Sequence, residues 1–328
     1  MALSDLAVYS ETAYKTSTEV LRQKVDLFNA NAGGTLLLQS SAHQGDYSEN
    51  AFFAKVTGGL VRRRDAYGSG TIAQKVMKHL QEASVKVGAG TPEMRLDPGQ
   101  FKWIQQNPKV AGAAMGIQLA KDTLADMLQV ALGSVSSALA TQTEVIYDAT
   151  ANTEAADKLP TWNNLNNGQA KFGDAGSEIV AWLMHSTQMY NLYGNNLQNA
   201  ERLFQYGNVN VIRDPFGKLL VMSDAAELVE IGTGEDPNVY NMLGLTPAAV
   251  LIGQNNDFDA AENTTTGDEN LMRTYQAEWS YNVGIKGFTW DKENGGKSPS
   301  NAALFTSTNW DRVATSHKDL PGVIVKTL

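Results

Sequence analysis

Asp257, Asp259 and Glu262 stand beside Asn255 and Asn256, the densest set of oxygen ligands in the chain. Hard divalent cations take such ligands, but the segment lacks the order and central glycine of an EF-hand loop. A solvated loop is expected there, with a divalent-metal-dependent hydrolase as the alternative. Asp268 and Glu269 have no serine or histidine partner that would mark a catalytic set. The four histidines, His43, His79, His185 and His317, lack the close spacing that brings two imidazoles to one zinc ion. Gly88-Ala89-Gly90 lacks the third glycine and following helix of a phosphate-cradling loop, and there is no P-loop or nucleophile elbow. The chain has no cysteine, which removes thiolate chemistry and disulfides together. No catalytic residue, metal or cofactor is expected.

One basic feature stands out. Arg62-Arg63-Arg64 lies in a chain with 26 Lys and Arg against 35 Asp and Glu, a formal net charge of -9. That balance argues against a surface-wide, sequence-independent grip on DNA. Three readings remain for the arginines: a solvated strand end, a phosphate contact, or a salt-bridge patch for an acidic neighbouring subunit. In a strand, Arg62 and Arg64 share one side and Arg63 faces the other, which suits two different neighbours. Two blocks, Ala51 to Val56 and Leu60 to Arg64, flank Thr57-Gly58-Gly59, where Gly-Gly supplies the backbone freedom of a tight reversal. The segment reads as a hairpin or long arm ending near Tyr67. Its candidate contact residues are Phe52, Phe53, Lys55, Gly58, Gly59, Arg62, Arg63 and Arg64.

The elements that must carry this arm follow from periodicity. With 328 residues, 42% hydrophobic and 19% charged, the chain has material for two intimately connected lobes. The first residues lack the basic flank and apolar block of a signal peptide, and no uninterrupted apolar stretch reaches the roughly 20 residues of a membrane helix. The spacing predicts an amphipathic helix over Ser4 to Ala30, a strand over Thr35 to Gln39, a short helix over Ile72 to Leu80 and a strand at Val85-Lys86-Val87. Asn107 is a candidate cap and Pro108 a first helical residue. Val110, Ala113, Ile117, Ala120, Leu124, Met127, Ala131, Val135 and Ala138 then advance by threes and fours, predicting one helix of about 45 Å. Lys121, Asp122 and Asp126 fall off this stripe and should be solvated or at an interface. Gly112, Gly116 and Gly133 weaken the helix, which close packing by another backbone would explain. Asp148 to Gly176 reads as a polar linker. Beyond it, Ile179 to Met184 suits a strand or helix start, Met189 to Tyr193 a helical turn, and Val209 to Ile212, Leu219 to Met222, Ala249 to Ile252 and Tyr281 to Phe288 suit strands. The aromatic residues from Trp279 to Trp290 are expected in the core.

Several stretches resemble a known family: His43 to Ser48, Ala51 to Tyr67 (AFFAKVTGGLVRRRDAY), Leu96 to Pro108 (LDPGQFKWIQQNP), Trp162 to Asp174 (WNNLNNGQAKFGD), Val211 to Asp224 (VIRDPFGKLLVMSD) and Tyr275 to Asp291 (YQAEWSYNVGIKGFTWD). In their order and combination they are similar to the major capsid proteins of short-tailed double-stranded DNA phages related to Bordetella phage BPP and Salmonella phage epsilon fifteen. The resemblance implies an α+β chain of the Hong Kong ninety-seven type capsid fold, with a peripheral lobe bearing a long spine helix, an axial lobe, an extended loop and an N-terminal arm. It places the arm and first helix in residues 1–34, the extended loop and flanking strands in 35–97 and the spine in 98–148. A mainly axial lobe then covers 149–260, and strands returning to the peripheral lobe with a tail cover 261–328. It further implies a structural protein that self-assembles as pentamers and hexamers into an icosahedral virion shell, formed in the host cytoplasm. A separate scaffolding protein, a cement protein and enclosed double-stranded DNA without sequence-specific binding are the partners it suggests. Lys55 and Asn50 lie in the kind of loop that carries isopeptide cross-links in some members, yet no cross-link is expected. The alternative is another phage structural or carbohydrate-binding module.

Overall fold

The computed structural model describes residues 2–41, 45–53, 63–72, 74, 79–193, 201–206, 209–213, 219–234, 236–266, 269 and 272–328. In chain order the elements are α1 (Ala2–Asn31), β1 (Leu36–Ser41), β2 (Tyr47–Phe53), β3 (His79–Gly90), β4 (Met94–Leu96), α2 (Pro98–Gln106), α3 (Pro108–Ala140), β5 (Ile146–Asp148), α4 (Trp162–Ala170), β6 (Ala181–Met184) and α5 (Ser186–Tyr193). They continue with β7 (Glu201–Tyr206), β8 (Val209–Arg213), β9 (Leu219–Ser223), β10 (Val229–Glu230), β11 (Val239–Leu245), β12 (Val250–Asn255), β13 (Asp259–Thr265), β14 (Met272–Ile285), β15 (Phe288–Trp290), α6 (Asn301–Leu304), β16 (Trp310–Arg312) and β17 (Gly322–Thr327).

Two sheets carry the fold. The first runs β1-β12-β14-β3-β2, with β13 and β4 also paired to β14; the second runs β5-β17-β11-β6-β9-β8-β7, with β10 on β11. A small ladder joins β15 to β16. The long strand β14 organises the first sheet. Its residues Tyr281, Val283 and Ile285 alternate onto one buried face, as a period of two requires. On the opposite face Ser280 and Asn282 are buried too, and Asn255 donates to the Ser280 hydroxyl at 2.9 Å. The last strand, β17, does not join this sheet but lies inside the second, between β5 and β11.

The helix α3 starts at Pro108 and runs 33 residues, as its spacing predicts. Its cap differs from expectation. Asn107 makes no side-chain capping bond; its backbone N–H donates to Trp103 at 3.1 Å and Ile104 at 3.2 Å, so it closes α2 instead. The buried face is also rotated from the predicted stripe at its N-terminal end. Val110 and Ile117 are 62% and 51% exposed, whereas Gly112 and Gly116 are buried.

The glycines explain the rotation. A β-carbon on Gly112 would lie 2.6 Å from the Tyr9 carbonyl oxygen, and one on Gly116 would lie 2.5 Å from that of Ala13. Helix α1 therefore runs beside α3 in the same direction with its backbone pressed on the two glycines. The helix turns its smallest residues, not its largest, to this partner. Helix α1 meets the seam with Tyr9, Ala13, Ser17 and Leu21, all buried and four apart. Gly133 is filled otherwise: the Phe305 ring, not a backbone, occupies its space. Among the described residues α3 is the one helix long and apolar enough to cross a membrane, but 72% of its most apolar window is buried inside the fold, as for a core helix.

The Asn-rich stretch read as a linker is folded. Thr161 caps α4 by accepting from the Asn164 N–H at 3.2 Å. The buried Asn164 amide donates to the carbonyls of Asp157 and Leu159, both at 2.8 Å, while Leu165 and Phe172 enter the core. Of the helix expected over Ile72 to Leu80, residues 73 and 75–78 lie outside the described residues; Ile72 and Gln74 are not helical, and His79 and Leu80 open β3 instead. Pairing with β2 overrides the helical spacing there.

Candidate assembly surfaces

The arm leaves the first sheet between β2 and β3, at the end where Phe53 pairs with His79 and Phe52 with Leu80. Lys55, Gly58, Gly59 and Arg62 lie outside the described residues. From Arg63 to Ile72 every side chain is exposed, and Tyr67 is 100% exposed. A local turn holds this stretch, with the Tyr67 N–H donating to Asp65 Oδ1 at 2.9 Å. Among the described residues no ion pair neutralises Arg63 or Arg64. A fully exposed tyrosine three and four residues from two exposed guanidiniums that have no ion pair among the described residues suits a protein interface.

A second surface lies at the other end of the same sheet. Between α3 and β14 opens a cleft of about 500 Å³ whose wall includes Met94, Met115, Leu119 and Trp279. Asp122 and Asp126, one helical turn apart, contribute carboxylates to it. Asp122 is exposed, while Asp126 is half-buried and accepts a hydrogen bond from the Tyr281 hydroxyl at 2.6 Å. Burial pushes the Asp126 carboxyl above the usual carboxylate range, and the Tyr281 bond partly opposes this. The off-stripe position flagged both aspartates, but only the packing of β14 against α3 makes them part of one cleft.

The loop that could have held a metal is dispersed. Asp257 is taken by the Ser280 N–H at 2.9 Å, by the Ser280 hydroxyl and by Lys86 Nζ at 3.0 Å. Asp259 faces solvent and accepts from the Ala260 N–H, while Glu262 turns inward on β13 toward Ser10 of α1. Among the described residues no three carboxylates or histidines gather to hold an ion. Nearby, Tyr14 stacks on Phe258 at 4.8 Å and Phe258 on Trp279 at 6.0 Å, tying α1 to the sheet beside the cleft.

A scaffold of two sheets on one spine helix, with an exposed arm and no assembled ligand set among the described residues, suits a building block. The family model of the Gp13-like proteins, described as major capsid protein 13-like, matches residues 5–324. The chain belongs to the Gp13-like major capsid protein family. The capsid subunit is similar in structure to the cyanophage Pam1 capsid asymmetric unit, with 12% identity, a TM-score of 0.51, and 89% of this chain and 88% of that one covered. It is likewise similar to the capsid of Ralstonia phage GP4, at 9% identity and a TM-score of 0.50, with 92% and 90% covered. The acid-stable capsid of Helicobacter pylori bacteriophage KHP30 gives 10% identity, a TM-score of 0.50, and 90% and 88% covered. No curated protein sequence matches the chain. At such identities the likeness is one of fold, the Hong Kong ninety-seven type shared by tailed-phage capsids. In that fold α3 is the spine helix, and the family's place is the virion shell.

Proposed function

We propose that this major capsid protein acts purely structurally, closing as pentamers and hexamers into an icosahedral shell around double-stranded DNA. The observation that carries the reading is the family match over residues 5–324 in a chain whose stretch Arg63 to Ile72, between β2 and β3 in sequence, is exposed throughout. Repeated contacts suit such a shell, because weak single contacts let misplaced subunits leave while many together hold. The sheet around β14, with α3, is the peripheral lobe, and the β6-β11-β17 sheet is the axial lobe. The arm, with Phe52, Phe53, Lys55, Gly58, Gly59 and Arg62 to Arg64, contacts neighbouring copies. An acidic subunit with net charge -9 suits a wall that encloses DNA without gripping it, since strong phosphate binding would oppose packaging and ejection. Assembly takes place in the host cytoplasm with a separate scaffolding protein, and a cement protein fits the outer face.

Co-expression with the scaffolding protein followed by electron microscopy tests this. Closed particles tens of nanometres across, without covalent ladders after boiling in detergent, are expected. A subunit that stays monomeric and shows metal-dependent turnover would overturn the reading.

A further inference from the structure

The cleft between α3 and β14 is graded along its length. Met115, Leu119, Asp122 and Asp126 recur at i, i+4, i+7 and i+11 and so share one face of the helix. Over about 16 Å, at roughly 1.5 Å per residue, that face passes from two apolar side chains to two carboxylates. Trp279 and Tyr281, two apart on β14, supply an aromatic wall, and Met94 adds a second thioether. At about 500 Å³ the space falls within the range of small-molecule pockets, which combine an apolar lining with a few polar groups.

The polar groups of this cleft lack partners. Asp122 and Asp126 are like charges one turn apart, and among the described residues neither is in an ion pair. Burial holds the Asp126 carboxyl above the usual range, a cost that a nearby cation relieves. Thr123 is 5% exposed and lines the same cleft, yet its hydroxyl has no hydrogen-bond partner among the described residues. A buried hydroxyl left in that state marks a place where a ligand can supply the missing bond. Three acceptors on one helical turn match the three N–H donors of a primary ammonium. A quaternary ammonium has no donor for them, an anion would be repelled, and a bare divalent cation would leave the aromatic and thioether wall unused.

We propose that the α3–β14 cleft binds a small primary amine with an apolar body, its ammonium group held by Asp122, Thr123 and Asp126 and its body against Trp279, Met94 and Met115. The aromatic wall contributes twice, because it covers the apolar body and its ring face attracts the cation. The site belongs to the folded subunit and goes beyond the shell-forming reading, which stands or falls separately.

Phenethylamine is the probe, titrated into the unassembled subunit by isothermal calorimetry. Phenethyl alcohol, of the same size but uncharged, is the comparison, and ethylamine tests the head without the body. The probe should bind saturably and at least about tenfold more tightly than either, since it alone combines a charged hydrogen-bond donor with apolar area to bury. Asp122→Asn should weaken amine binding about tenfold and leave the alcohol unaffected. Gln118→Lys gives an independent reading. Gln118 is exposed, lines the cleft and lies one turn before Asp122, so a lysine there carries its own ammonium to the site and should weaken probe binding about tenfold. Ile117→Lys, an exposed position outside the cleft, is the charge-matched control and should bind as wild type does. Because the three substituted positions are exposed, melting curves that match wild type are expected and exclude a folding defect.

An amine that binds no more tightly than the alcohol would overturn the proposal. So would wild-type affinity in either Asp122→Asn or Gln118→Lys, since the probe would then sit elsewhere. Neither result bears on shell formation, and a subunit that binds the amine yet never forms particles would sink only the shell-forming reading.

Discussion

Glu262 is a carboxylate placed where its charge is penalised. Burial under α1 raises it above its ordinary value of 4.5, and the Ser10 hydroxyl recovers part of the loss. A folded value above the unfolded one means that the group favours folding below the unfolded value and loses that contribution as pH rises through the folded value. Glu262→Gln should therefore raise the melting temperature of the unassembled subunit at pH 8, and the gain should shrink as the pH falls toward 4.5. A gain that does not vary with pH would show that buried charge is not the cause. Asn164 makes the opposite point. Its amide satisfies two carbonyls, so Asn164→Ala should cost about 2–3 kcal/mol in urea unfolding by leaving both unpaired. An unchanged midpoint would remove that role. Neither residue's role was legible from sequence. Glu262 was read as one of three potential metal ligands, and Asn164 as linker polarity, because composition records that a side chain is polar but not whether it faces water or a backbone group.

At the scale of the element, the seam between α1 and α3 gives one substitution two opposite signs. Alanine is about 1 kcal/mol better than glycine inside an exposed helix. At Gly99 in α2 a β-carbon would meet nothing within 4 Å, so Gly99→Ala should be neutral or stabilising. At Gly112 and Gly116 the added carbon meets backbone, which cannot rotate away, and overpacking of that kind costs about 1–3 kcal/mol. The steric cost wins, and each variant should unfold at lower denaturant; a rise at either position would show that the helices separate freely. The bounds of α3 were legible because a proline at the first turn and a long 3.6-residue period are local signals. Which face it buries was not. The larger residues Val110 and Ile117 drew the predicted stripe, whereas the glycine spacing that set the true face acts only through a partner some 100 residues away in sequence.

For the whole molecule, assembly sets two electrostatic effects of opposite sign against each other. Each copy carries -9, and neighbouring centres lie roughly 40 Å apart for a chain of this length. Treated as central charges, two such copies repel by about 2 kcal/mol at roughly 10 mM ionic strength, where the screening length is about 30 Å. At physiological salt the screening length is about 8 Å and the repulsion all but vanishes. Ion pairs between copies would be screened too, but an exposed pair is worth only about 0.2–1 kcal/mol and a desolvated one is screened less. The repulsion is the larger salt-sensitive quantity. Raising ionic strength from roughly 10 to 150 mM should therefore lower the subunit concentration needed for particle formation by about tenfold, read by light scattering. A threshold that rises with salt would mean that charge pairing at the contacts, not the net charge of the subunit, governs when shells form.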